Sequence, residues 1–212
     1  MTDPYLLLTP LLALAVLALA RFVGCDEVFD LEPVEPVPPH LSFIKEFVPG
    51  RERQDFTGWV GMEILIGDQD LTVTDLGRIM LTATTASHDV KIVERTGAGM
   101  DFTGINVKTV TIPASAAVVP TPDNPGFAYA SFLEEVVLTR NTRYYILSHE
   151  VTLGDVFYDL DTTVIPKDAA ALLAEVTASV YDIDDNPDTG YDQRSGPGTT
   201  YGPVDFKYKE QA

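Results

Sequence analysis

The sequence predicts an all-β fold, a β-sandwich preceded by one N-terminal transmembrane or signal-anchor helix. Two observations carry that reading. Residues 5–25 are apolar almost throughout, and from about Phe56 onward short β-branched and aromatic runs alternate with polar residues between Gly, Pro, Asn and Asp. A third, the proline-rich stretch between them, divides the chain into a hydrophobic anchor (1–25), an acidic Pro-rich linker (26–55) and a β-sandwich domain (56–212).

As a helix, Tyr5 to Cys25 rises about 31 Å at about 1.5 Å per residue, which matches a bilayer core. Pro10 falls in the first turns, where a missing amide hydrogen bond is tolerated, and Arg21 is close enough to the far end to snorkel. Three readings stay open: a retained anchor, which leads, a signal peptide cleaved near Ala18-Leu19-Ala20, and a lipoprotein signal cut before Cys25, the candidate lipidation site. Arg21 alone would place the domain inside by the positive-inside tendency. The acidic exit and the exported character of the β domain argue for the periplasmic or extracellular side, which is the expected location.

Pro33, Pro36, Pro38, Pro39 and Pro49 with several acids predict an extended stalk over 26–55, in which Leu41-Ser42-Phe43-Ile44 is apolar enough to dock, on the body of the sandwich or on a neighbouring subunit. Strands are predicted at 59–66, 71–81, 89–94, 106–112, 127–138, 143–150, 156–164, 175–181 and 204–208. Val90 and Ile92 alternating with Asp89 and Lys91 illustrate the two faces. Lys167–Glu175, with three consecutive alanines and Asp168 as a cap, predicts a short helix.

The runs Leu71–Arg78, His88–Val93, Tyr144–Glu150 and Tyr201–Tyr208 resemble an uncharacterised β-sandwich domain of bacterial surface and exported proteins, over about residues 57–209. The resemblance implies a jelly-roll-like extracytoplasmic module of unknown function. Such modules often lie beside adhesion or carbohydrate-associated domains and have no established catalytic residues.

A net charge of -18 argues against nucleic acid as a partner, because phosphate contacts need basic side chains. With one cysteine no intrachain disulfide can form. No zinc helix follows His149-Glu150, no phosphate loop precedes a helix, and the three histidines are dispersed, so no catalytic residue is assigned and no enzyme is expected. The best chemical constellation is Asp182, Asp184, Asn186 and Asp188, oxygen ligands at every second position as in the start of a calcium loop. Pro187 stands where an EF-hand needs glycine and Gln193 where it needs glutamate, so a plain acidic loop competes with the calcium reading. Trp59, flanked by Gly58 and Gly61, is the candidate for ligand stacking, against the alternative that it is core; Tyr191 and Tyr201 lie in a Gly/Pro-rich region.

The leading expectation is a non-catalytic accessory or scaffolding subunit, held in the membrane by residues 5–25 and associated with other membrane-protein subunits. The alternative is a surface-displayed carbohydrate- or calcium-binding module.

Overall fold

The computed structural model describes residues 40–82, 84, 86–97, 103–115, 117–183 and 191–209. In chain order the strands begin with β1 (His40–Ser42), β2 (Ile44–Val48), β3 (Glu52–Arg53), β4 (Gly58–Ile66) and β5 (Leu71–Ile79). They continue with β6 (His88–Arg95), β7 (Gly104–Ile112), β8 (Phe127–Leu138), β9 (Arg143–Glu150) and β10 (Phe157–Pro166). Last come β11 (Ala174–Asp182), β12 (Asp192–Gln193), β13 (Thr199–Gly202) and β14 (Val204–Lys209). The fold is all-β, with antiparallel pairing throughout the described sheets.

The layers follow from side-chain alternation. A six-stranded sheet in the order β12-β11-β4-β9-β6-β7 turns Met62, Ile64, Ile66, Val90, Ile92, Tyr144 and Ile146 to one side. A four-stranded sheet, β1-β14-β5-β8, contributes Leu71, Val73, Leu76, Val204, Phe206 and Tyr208 to the same cluster. The two inner faces make the sandwich-like core. A third sheet, β13-β10-β2 with β3 beside β10, adds Ile44 and Val164 to it.

Residues 40–53, read from composition as linker, supply three strands, β1, β2 and β3, to these sheets. Phe43 and Ile44 are fully buried, and the Phe43 ring stacks on Phe206 at 4.6 Å. Burial of each such side chain is worth about 1.5–3 kcal/mol, which outweighs the weak strand propensity of a charged, Pro-flanked segment. The chain crosses at Phe43 from β1, paired with β14, to β2, paired with β10. The patch Leu41–Ile44 thus docks on its own domain.

The helix expected over Lys167–Glu175 is reduced to a 3-10 turn at Ala170–Leu172, and β11 already begins at Ala174. A segment this short gains little from helix propensity alone, whereas Ala170, Ala174 and Val176 gain burial in the core. Among the described residues no helix is long and apolar enough to cross a membrane; residues 5–25 and Cys25 lie outside them.

Gly61, read as giving access to a ligand, instead gives access to backbone. A Cβ there would stand 2.0 Å from the Ile146 carbonyl oxygen on β9, so only glycine lets the two strands approach. Gly58, at φ +138°, meets the Asp182 carbonyl oxygen in the same way.

One carboxyl sits wholly inside. Asp205 on β14 accepts hydrogen bonds from the Ile44 amide (3.0 Å) and the Tyr129 hydroxyl (2.6 Å), tying β14 to β2 and β8. Burial raises its pKa from the usual 3.8 to about 7, against the hydrogen bonds and Lys167, which act to lower it. The folded state therefore holds a proton that the unfolded chain releases. The stability this confers is complete below about 3.8 and is lost as pH rises to about 7. Urea unfolding across this window is expected to show wild type losing stability relative to Asp205→Asn, by on the order of 4 kcal/mol in all. A stability difference between the two that stays constant with pH would refute the assignment.

Candidate functional site

Seven residues from separate elements line a hollow of about 340 Å³ beside the third sheet. Alternation explains the lining. Val60 on β4 and Tyr181 on β11 are register partners and face the same side, and Tyr201 on β13 and Leu160 on β10 approach from the neighbouring sheet. Phe56, in the loop before β4, closes one wall. The rings meet edge-on, Phe56 to Tyr181 at 5.9 Å and Tyr181 to Tyr201 at 6.1 Å, and all three line the hollow.

Two arginines supply the polar groups. Arg53 donates to Asp55 (2.7 Å) and to Asp159 (3.1 Å), and Asp159 also accepts from Arg51 (3.2 Å). Arg194 donates to the Tyr181 hydroxyl, lies over the Tyr181 ring at 5.1 Å and has Asp192 at 3.5 Å. Burial, and then the Asp159 charge, push the Tyr201 hydroxyl up to about 12, so it remains a neutral donor at physiological pH. The result is an aromatic hollow rimmed by guanidinium and carboxylate groups already fixed by one another.

Trp59 is placed otherwise. It is 6% exposed, its ring covered by the Lys91 ammonium at 3.7 Å and packed edge-on against His149 at 5.0 Å. Tyr191 is buried against Tyr145 at 4.7 Å. Both belong to a small cluster on the outer face of the six-stranded sheet, so neither ring face is offered to a ligand. Of the calcium residues, Asp182 is buried at the end of β11, while Asp184, Asn186 and Asp188 lie outside the described residues. Among the described residues no group of three His, Cys, Asp or Glu side chains is placed to hold a metal.

No protein-family model, curated protein or solved structure matches this chain. Of what the resemblance implies, the structure shows the all-β, sandwich-like architecture.

The histidines are partly gathered by the fold. The His88 ring nitrogens meet the His149 carbonyl oxygen (3.1 Å) and Asp155 (2.8 Å), beside a buried Arg78–Glu150 pair. Sequence reasoning singled out Tyr201 from the hollow but missed Phe56, Tyr181, Arg53 and Arg194. Tyr181 ends an alternating strand, which is the only local signal it gives; the arginines give none.

Proposed function

We propose that the domain is a non-catalytic carbohydrate-binding module whose ligand seats in the hollow of Phe56, Tyr181 and Tyr201. The observation that carries this reading is the conjunction of three aromatic side chains with two guanidinium groups, each paired with a carboxylate, at one concavity. Sugar rings offer apolar C–H faces to aromatics and hydroxyls that both donate and accept. Fixed Arg–Asp pairs present complementary donors and acceptors at no further ordering cost. Asp55, Asp159 and Asp192 balance Arg51, Arg53 and Arg194, which favours a neutral glycan over an acidic one. The apolar run 5–25 would hold such a module at a membrane, on its periplasmic or extracellular side.

The test is a glycan array probed with the full chain in mild detergent, followed by titration of the best hits. Tyr181→Ala is expected to weaken binding about tenfold or more, the equivalent of about 1.4 kcal/mol. Tyr181→Phe, which keeps the ring but not the partner of Arg194, should lose less. Trp59→Ala should lower the melting temperature and leave glycan affinity unchanged. Binding that is indifferent to Tyr181 but lost with Trp59 would move the site elsewhere.

A second reading, the accessory subunit of a membrane complex, draws on exposed apolar residues of two edge strands: Ile105 on β7 (63%), and Leu133 (103%) and Val137 (58%) on β8. Native mass spectrometry after detergent extraction tests it. Recovery only as an isolated monomer, while other complexes stay intact, would count against it.

A further inference from the structure

A second hollow, also about 340 Å³, lies where β1, β8 and β14 meet the segment after β10. We propose that it binds a compact oxyanion, the phosphate or sulfate group of an ester, through the ammonium groups of Lys167 and Lys207.

The chain carries 32 acidic residues against 14 lysines and arginines, so carboxylates are abundant partners for its cations. Arg51, Arg53, Arg78, Arg95, Arg143, Arg194 and Lys209 all pair with carboxylates. Among the described residues Lys167 and Lys207 form no ion pair within 4.0 Å, although both line this hollow. Each is held in place. The Lys167 amide donates to the Phe43 carbonyl at 2.9 Å, and the Lys207 ammonium sits 4.3 Å from the Tyr129 ring centroid.

The acceptors nearby are taken. Asp75 accepts from Ser131 (2.5 Å) and Thr74 (2.6 Å) and has His40 at 3.7 Å. Asp205 accepts from Tyr129 and the Ile44 amide, and Ser42 donates to the Asp123 carbonyl at 3.3 Å. The exposed Asp123 carboxylate at the rim is the remaining acid, in water and screened. What the hollow lacks is an acceptor for two sets of ammonium donors, and a tetrahedral oxyanion supplies several at once. The buried Asp205, whose pKa lies near 7, loses its charge below neutrality, which strengthens the positive field toward an anion.

The experiment is isothermal titration of the full chain with sodium sulfate and with sodium phosphate at 0.15 M salt equivalent, roughly the physiological ionic strength. Saturable binding with a dissociation constant of about 1 mM or tighter is expected, weakened about tenfold or more by Lys167→Gln with Lys207→Gln, and unchanged by Lys108→Gln on β7. Sulfate keeps its charge across pH 6–8, so its affinity should fall over about that range in wild type and less so in Asp205→Asn. Vesicles of phosphatidylcholine with and without phosphatidic acid separate the sources. An acid-lipid increment lost in the double lysine variant identifies a lipid headgroup, and an increment equal in both identifies a soluble ester. No saturable sulfate or phosphate binding, or equal affinity in the folded double variant, overturns the proposal.

Discussion

Glu150→Ala is expected to destabilise the domain by about 3–5 kcal/mol, because it strands a buried guanidinium between the sheets. Arg78 on β5 and Glu150 on β9 are each 1% exposed and belong to opposite sheets. Their contact is bidentate, Nε to Oε1 at 2.9 Å and Nη2 to Oε2 at 2.7 Å, and the remaining Arg78 donors reach the Ile79 carbonyl at 2.8 Å. Ser148 donates to the same carboxylate at 2.8 Å, and His88 lies 3.7 Å from it. Losing the carboxylate therefore leaves the Arg78 cation and the Ser148 hydroxyl without this acceptor, both away from water. For a domain of this size the melting point should drop by roughly 6–20 °C.

The double replacement Arg78→Met with Glu150→Leu separates two ideas. If the cost of the single change comes from an uncompensated buried charge, the apolar pair should recover most of the lost stability. Urea titration followed by the fluorescence of the one tryptophan, Trp59, measures all four corners of the cycle. A Glu150→Ala protein within about 1 kcal/mol of wild type would show that the pair contributes little.

Glu63→Ala is expected to cost about 2–4 kcal/mol and to loosen β12 selectively. Glu63 on β4 is 1% exposed on the outer face of the six-stranded sheet. It accepts from Arg143 (2.6 Å) on β9, Arg95 (2.9 Å) on β6, Thr177 (2.6 Å) on β11 and Gln193 (2.5 Å) on β12. One carboxylate thereby joins five strands. The penalty is smaller than for Glu150 because the Arg143 side chain is 40% exposed and can turn to water.

Glu63→Gln, nearly the same shape, should still cost about 1.5–3 kcal/mol, since its amide nitrogen would face donors where an acceptor is required. β12 pairs with β11 over only two residues, so hydrogen exchange at Tyr191–Gln193 should accelerate first in either variant. Uniform acceleration across the sheet, with no preference for β12, would contradict this account.

Much of the fold was legible in the sequence. The nine predicted strands correspond to β4–β11 and β14, because β-branched and aromatic residues make up these runs, alternation is clear in several of them, and turn residues bound them. Phe127–Leu138 and Arg143–Glu150 agree to the residue. The strands that escaped, β1–β3, β12 and β13, are two to five residues long, and their reason for being strands is the neighbour they pair with. Phe43 is the clearest case: its burial depends on Phe206, 163 positions later in the chain.

The site separates along the same line. Composition alone determined that the chain is acidic, carries one cysteine and has no phosphate-binding loop, since these properties are local or summed over residues. Which aromatic faces a hollow is not local. Trp59 and Tyr181 both sit on alternating strands at the same edge of one sheet, yet Trp59 falls on the outer face beneath Lys91, and Tyr181 on the inner face beside Tyr201. A one-residue register shift, of the kind the bulge between Val176 and Ala178 introduces, exchanges the two faces of a strand. Periodicity in the sequence defines two faces; only pairing and packing in three dimensions decide which of them lines the hollow, because that depends on contacts between segments far apart in the chain.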